Sequence, residues 1–256
     1  MIKDILTIAK FTFVQVNKSK ILVNVIFLSV AIAIISYVLA EFTHGVPSKI
    51  AIDIGFGLAS ISSVGIAIFL GVHLLSLEIE SRTVYMIFSR PVSRFSFYVG
   101  KMLGMSMFLT MNTFLISLIA VAVYFKMGGE RGEGIFLTIL SICLESILTL
   151  FIVVFLAFIV NNIISVITTI TLYIVGHGIE DAKTLTYVIN RPWLEKFVKF
   201  YSSIMPNFAN LNLKRYLFYS RDLYPVSWEW AFSYGLLYIL SILCVSYLIF
   251  RNKNLD

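Results

Sequence analysis

Residues 78–104 read EIESRTVYMIFSRPVSRFSFYVGKMLG and gather Glu78, Glu80, Arg82, Arg90, Arg94 and Lys101 between two long apolar runs. The contrast decides the fold class. A charged interval this short, flanked by runs long enough to cross hydrocarbon, reads as a turn between two membrane helices. Glu78 and Arg82 stand at i, i+4, with the acid on the favourable N-terminal side of the pair. Pro91 disfavours helix at Arg90, so the chain turns there. Ser93 then has the side chain to cap the next helix. The unit is helix, proline turn, capped helix.

Composition agrees. Of 256 residues, 59% are hydrophobic and 13% charged, and the mean hydropathy is +0.92, against about 25% charged residues in soluble domains. The expectation is an all-α integral membrane protein forming one transmembrane domain over residues 1–256. The net charge of +6 reads as basic residues held at headgroups and on cytoplasmic segments, not as a nucleic-acid surface. Cys143 and Cys244 both fall in apolar runs and predict no disulfide.

Working outward, residues 1–20 form an amphipathic surface helix. Ile2, Ile5, Leu6, Ala9, Phe13 and Val16 share one face, and Lys3, Thr7, Lys10 and Asn17 the other,. A signal peptide is the competing reading of the N-terminus, but the apolar run after it is of spanning length. Six spans are expected, over residues 21–40, 54–77, 97–125, 135–160, 163–179 and 230–250. Residues 41–53 form a polar link, and Asn161-Asn162 is the whole turn between the fourth and fifth spans. In the second span Ala59, Ser63, Ala67 and Gly71 recur every fourth residue, and Gly100 and Gly104 open the third. Both patterns predict close helix packing. Residues 180–229 form a long outer segment. Inside it Pro192 starts a second interfacial helix that Pro206-Asn207 ends.

With both termini in the cytoplasm, the inside segments carry Lys3, Lys10, Lys18, Lys20, Arg82, Arg90, Arg94, Lys101, Arg251 and Lys253. The short outside loops carry Lys49, Lys126 and Arg131,. The long outer segment adds further basic residues outside, and its length weakens that objection.

Within the spans, Glu145 falls near mid-membrane, where an ionisable group is rare and turns toward the protein interior. Asn112 falls at similar depth in the third span. Two readings are open for them: polar groups lining a substrate path, or helix–helix hydrogen bonds. His44, His73 and His177 show no metal-ligand spacing, so no metal is expected. There is no phosphate-binding G-x-x-x-x-G-K-[ST] loop, and GGERGEG at residues 128–134 is a connecting loop.

The pattern E-I-E-S-R-T, then S-R-P-V-S-R, then G-K-x-x-G resembles the first cytoplasmic loop of ABC-2-type transporter permeases. It is most similar to the branch containing the permease of the nitrous-oxide-reductase maturation system. Glu78, Glu80, Arg82, Thr83, Pro91, Ser93, Arg94, Gly100 and Lys101 match, and the layout of helices matches over nearly the whole chain. The resemblance implies the membrane subunit of an ATP-driven transporter, most often an exporter, in a prokaryotic cell membrane. It implies an ABC ATPase subunit as partner, carrying the ATP and magnesium, and a second copy of this chain or a related permease beside it. No cofactor is implied for this chain. Residues 78–94, with Glu78, Glu80, Arg82, Thr83, Arg90, Pro91, Ser93 and Arg94, would be the coupling segment. Two other classes stay open on the residues alone. An intramembrane enzyme using Glu145 and a histidine would act without any ATPase, and an ATP-independent channel or carrier would move cargo without one.

Overall fold

A computed structural model describes residues 2–18, 21–43, 45–72, 92–214 and 227–252. Among them the chain is helical, with no strand. The helices are α1 (Ile2–Asn17), α2 (Ile21–Glu41), α3 (Pro47–Leu70), α4 (Arg94–Lys126), α5 (Glu133–Ile159), α6 (Asn162–Thr184), α7 (Thr186–Ile189), α8 (Pro192–Ile204) and α9 (Trp228–Asn252), with a 3₁₀ turn at Phe208–Leu211. Of the coupling residues, Glu78, Glu80, Arg82, Thr83, Arg90 and Pro91 lie outside the described residues, as do His44 and His73.

Five described helices are long and apolar enough to cross a membrane: α3, α4, α5 from Gly134, α6 and α9. This is the architecture of a multi-pass helical membrane protein. α2 is also apolar and is 21 residues long.

Several helix ends differ from the sequence expectation, each for a local reason. α3 starts at Pro47, not at residue 54, because proline at the first helical position costs no hydrogen bond and presets φ,. The expected polar link shrinks accordingly. α6 runs on to Thr184 instead of ending at residue 179, its polar last turn closed by the Glu180–Lys183 pair at 2.7 Å. The turn at Val160 and Asn161 is two extended residues, as short as the sequence requires. α8 starts at Pro192 and leaves Trp193, Phe197, Phe200 and Ile204 exposed along its apolar side.

Ser93 caps α4: its Oγ accepts from the Ser96 backbone N–H at 3.1 Å. The next residue, Arg94, donates from Nη1 to the Arg251 carbonyl at 2.8 Å, at the C-terminal end of α9, where a cation suits the helix dipole,. Tyr98 stacks on Phe250 and donates to Ser246 Oγ at 2.8 Å. The start of α4 is thus locked to the end of α9.

The expected surface helix α1 is joined to the bundle. It packs along the first turns of α4, burying Ala9, Thr12 and Val16, with Phe13 edge-on to Phe108. Gly100 and Gly104 make this possible. A Cβ on Gly104 would lie 2.6 Å from the Ala9 carbonyl oxygen, and one on Gly100 would lie 2.8 Å from Ile8 Cβ. The glycine pair therefore serves α1. Ile2, Leu6 and Phe11 remain exposed on α1. Lys101 is buried beneath it, Nζ 3.5 Å from Gln15 Oε1.

The small-residue row of α3 is buried throughout. Ala59 meets α2 and α4 near Val25 and Ile116, and Gly71 admits Val153 and Val154 of α5. Buried hydroxyls on α5 and α6 mostly satisfy themselves on their own helix, as Thr138, Ser141, Ser146, Thr149 and Thr169 do. That is the usual solution where no water is present.

Candidate functional site

α5 carries Glu145 near its middle, with its side chain 2% exposed. A carboxylate in such a place needs partners on both oxygens, and two helices supply them. Ser60 of α3 donates from Oγ to Oε2 at 3.0 Å. His177 of α6, in its Nε2–H form, donates to Oε1 at 2.5 Å. The Ser60 hydroxyl has a single proton, already given to Glu145, so Tyr173 of α6 donates its own O–H to Ser60 Oγ at 3.1 Å,. Tyr173 and His177 stand one turn apart on α6, their rings edge to face at 4.6 Å.

The outer segment closes over this cluster. It was expected at the membrane surface, yet Pro206, Asn207, Phe208, Leu211 and Leu213 are all buried. Phe208 stacks on the His177 ring with centroids 5.8 Å apart and meets Tyr173 edge-on at 5.2 Å. Gly176 permits it, since a Cβ there would lie 2.6 Å from both Phe208 Cδ2 and the Pro206 carbonyl oxygen. Asn207 fixes the entry. Its Nδ2 donates to Glu180 Oε1 at 2.5 Å, its N–H to the Tyr234 hydroxyl at 2.8 Å, and its Oδ1 accepts from the Ala209 N–H at 3.1 Å. Leu211 rests on Gly235 of α9. The Leu213 carbonyl accepts from Thr138 Oγ1 of α5 at 3.4 Å.

The next residue, Lys214, is partly exposed. Burial pushes its ammonium below the ordinary lysine range, while Glu145 and Asp53 pull it back up,. The cluster therefore joins Glu145, His177 and two hydroxyls beneath an aromatic cover, with Lys214 and Asp53 in its field.

Chemically, the order is serine, carboxylate, imidazole. An acyl-transfer triad needs the imidazole in the middle, as base to the serine. Here the carboxylate stands between them and organises hydrogen-bond donors. Among the described residues no group of three or more histidine, cysteine or acidic side chains could hold a metal.

Of the residues expected from the sequence, Glu145 is at the centre of the site. Asn112 is buried but separate: its Nδ2 donates to Phe108 O on its own helix at 3.1 Å, and its Oδ1 accepts from no group among the described residues. Ser93 and Arg94 sit at the far end of α4, and Ala59, Ser63, Ala67 and Gly71 form packing surface. Ser60, Tyr173, Asn207, Phe208 and Lys214 were not anticipated, nor was the role of His177. Compared with the models of known protein families and with curated proteins, the chain gives no match.

Proposed function

We propose that the chain is the membrane-spanning permease subunit of an ATP-driven ABC transporter, an exporter, with ATP hydrolysis on a separate partner. One observation carries the reading furthest. The charged segment between α3 and α4 leads directly into a capped helix start that is tied on both flanks, to α1 through Gly100 and Gly104 and to α9 through Arg94. A push on that segment would be passed to α1, α4 and α9 together, as a coupling element requires. The paired Glu and Arg chemistry of residues 78–94 suits a complementary polar surface on an ATPase, because such groups are costly to cover unless matched. The same reading takes α2 as a sixth span, puts both termini in the cytoplasm of a prokaryotic cell, and pairs the subunit with a second copy or a related permease. Glu145 then lines the cargo path between the coupling segment and the outer face.

The test is purification of the full chain with its candidate ATPase, followed by ATP-dependent transport in proteoliposomes. Arg90→Glu and Glu80→Lys are expected to abolish ATPase binding, transport or both. Retention of both by the two variants would overturn the coupling role. Cargo movement by the chain alone would replace the reading with an ATP-independent carrier.

A further inference from the structure

We propose that residues 206–211 are a movable lid over the Glu145 site, opening it toward the face of the membrane that bears the 127–132 loop, with α9 holding the lid shut. The inference rests on the reading of Glu145 as part of a cargo path and adds how that path is closed.

The lid covers the site with one side chain, Phe208, laid on His177 and Tyr173. The burial is incomplete: the His177 side chain keeps 23% exposure. The lid's two seats are glycines: Gly176 of α6 lies beneath Phe208, and Gly235 of α9 beneath Leu211. A seat without a side chain lets a segment come close yet offers nothing that interlocks with it. Among the described residues the lid's polar ties to the helices are few: Asn207 Nδ2 to Glu180 and the Asn207 N–H to the Tyr234 hydroxyl, while Tyr238 O–H holds the Ile204 carbonyl just before the lid at 2.7 Å. These break without unwinding any helix. Just past the lid, Asn212 Oδ1 is buried with no hydrogen-bond partner among the described residues, a cost that another position of the segment would relieve.

The two tyrosines that hold the lid, Tyr234 and Tyr238, are on α9, whose opposite end is held by Arg94. The lid and the start of α4 are therefore attached to the same rod. A shift of α9 that frees Asn207 from Tyr234 also withdraws Gly235 from Leu211.

The experiment uses the full chain alone in liposomes, with Cys143→Ala, Cys244→Ala and Ser60→Cys. The probe is a membrane-impermeant methanethiosulfonate bearing a quaternary ammonium, added to one face at a time. Expected is slow labelling of Cys at position 60 from the 127–132 face, accelerated about tenfold or more by Phe208→Ala. Tyr234→Phe, which removes only the hydroxyl that accepts from Asn207, gives a smaller acceleration from the same face and covers the case in which Phe208→Ala fails to fold. Unchanged rates in both variants, or labelling only from the opposite face, would overturn the lid. No ATPase is present, so failure here leaves the permease reading standing, and absence of an ATPase partner leaves the lid standing.

Discussion

Replacing Gly104 by alanine isolates the packing of α1 on α4. The new methyl carbon would lie 2.6 Å from the Ala9 carbonyl oxygen and 2.7 Å from Thr12 Cβ. Ordinary carbon contacts lie at about 3.5–4.0 Å, so α1 must back away by about 1 Å. Both obstacles belong to the α1 backbone or sit next to it, and no rotamer change can clear them. Overpacking of this kind costs about 1–3 kcal/mol, offset by about 1 kcal/mol of helix propensity gained over glycine. Gly65 calibrates that gain. It lies inside α3 with nothing within 4 Å of its would-be Cβ, so Gly65→Ala shows propensity without a clash. Unfolding of the full chain by denaturing detergent should place Gly65→Ala above the parent and Gly104→Ala about 1–3 kcal/mol below Gly65→Ala. A local readout accompanies it: Lys101, buried under α1, should react faster with an amine reagent in Gly104→Ala only. Equal shifts of the same sign in both variants, with Lys101 protection unchanged, would refute the α1–α4 seam.

Three further outcomes are expected. Ser93→Ala removes the cap on Ser96 N–H and should cost about 1 kcal/mol, seen as faster amide hydrogen exchange confined to the first turn of α4. Glu145→Ala leaves His177 and Ser60 without their common acceptor and should destabilise by about 3–5 kcal/mol. Glu145→Leu combined with His177→Leu should recover most of that loss in the same unfolding assay, whereas additive losses would mean the two residues do not act as a pair. For Lys214, burial lowers the folded-state affinity for a proton, so the unfolded chain holds more protons between the folded and the ordinary lysine values. Stability should therefore rise with pH through that alkaline window, and Lys214→Met should flatten the rise.

The helical membrane fold was legible because apolar length and proline or glycine punctuation are local signals. Pro192 marks its helix in the structure as it does in the sequence, and the expected Asn161-Asn162 turn falls one residue earlier, at Val160 and Asn161. The small-residue rows were legible as packing surfaces, but not their partners: nothing in Gly-x-x-x-Gly says that a helix eighty or more residues earlier in the chain will occupy it. The partner of α1 was illegible for the same reason, since an amphipathic face fits a lipid surface as well as a helix. In the site, Glu145 announced itself by its cost in hydrocarbon. Its partner was readable too. At about 1.5 Å per residue, Glu145 stands about 21 Å above the Val160–Asn161 turn and His177 about 22 Å above it. The turn is too tight for the two helices to diverge, and two polar residues at one height on adjacent helices face each other. The lid was hidden because Pro206-Asn207 reads equally as a helix stop at the surface and as an entry into the protein. Only the glycines waiting on α6 and α9 distinguish the two.

The pairing inside the α5–α6 hairpin also bears on how the chain is made. Glu145 and His177 lie 32 residues apart, on helices that a two-residue turn forces to enter the bilayer as one unit. The acid can meet its imidazole within that hairpin once His177 has left the ribosome, before α9 has reached the bilayer. A ribosome stalled with α6 clear of its exit should therefore hold a stably inserted hairpin, and one carrying His177→Leu should slip back toward the aqueous side.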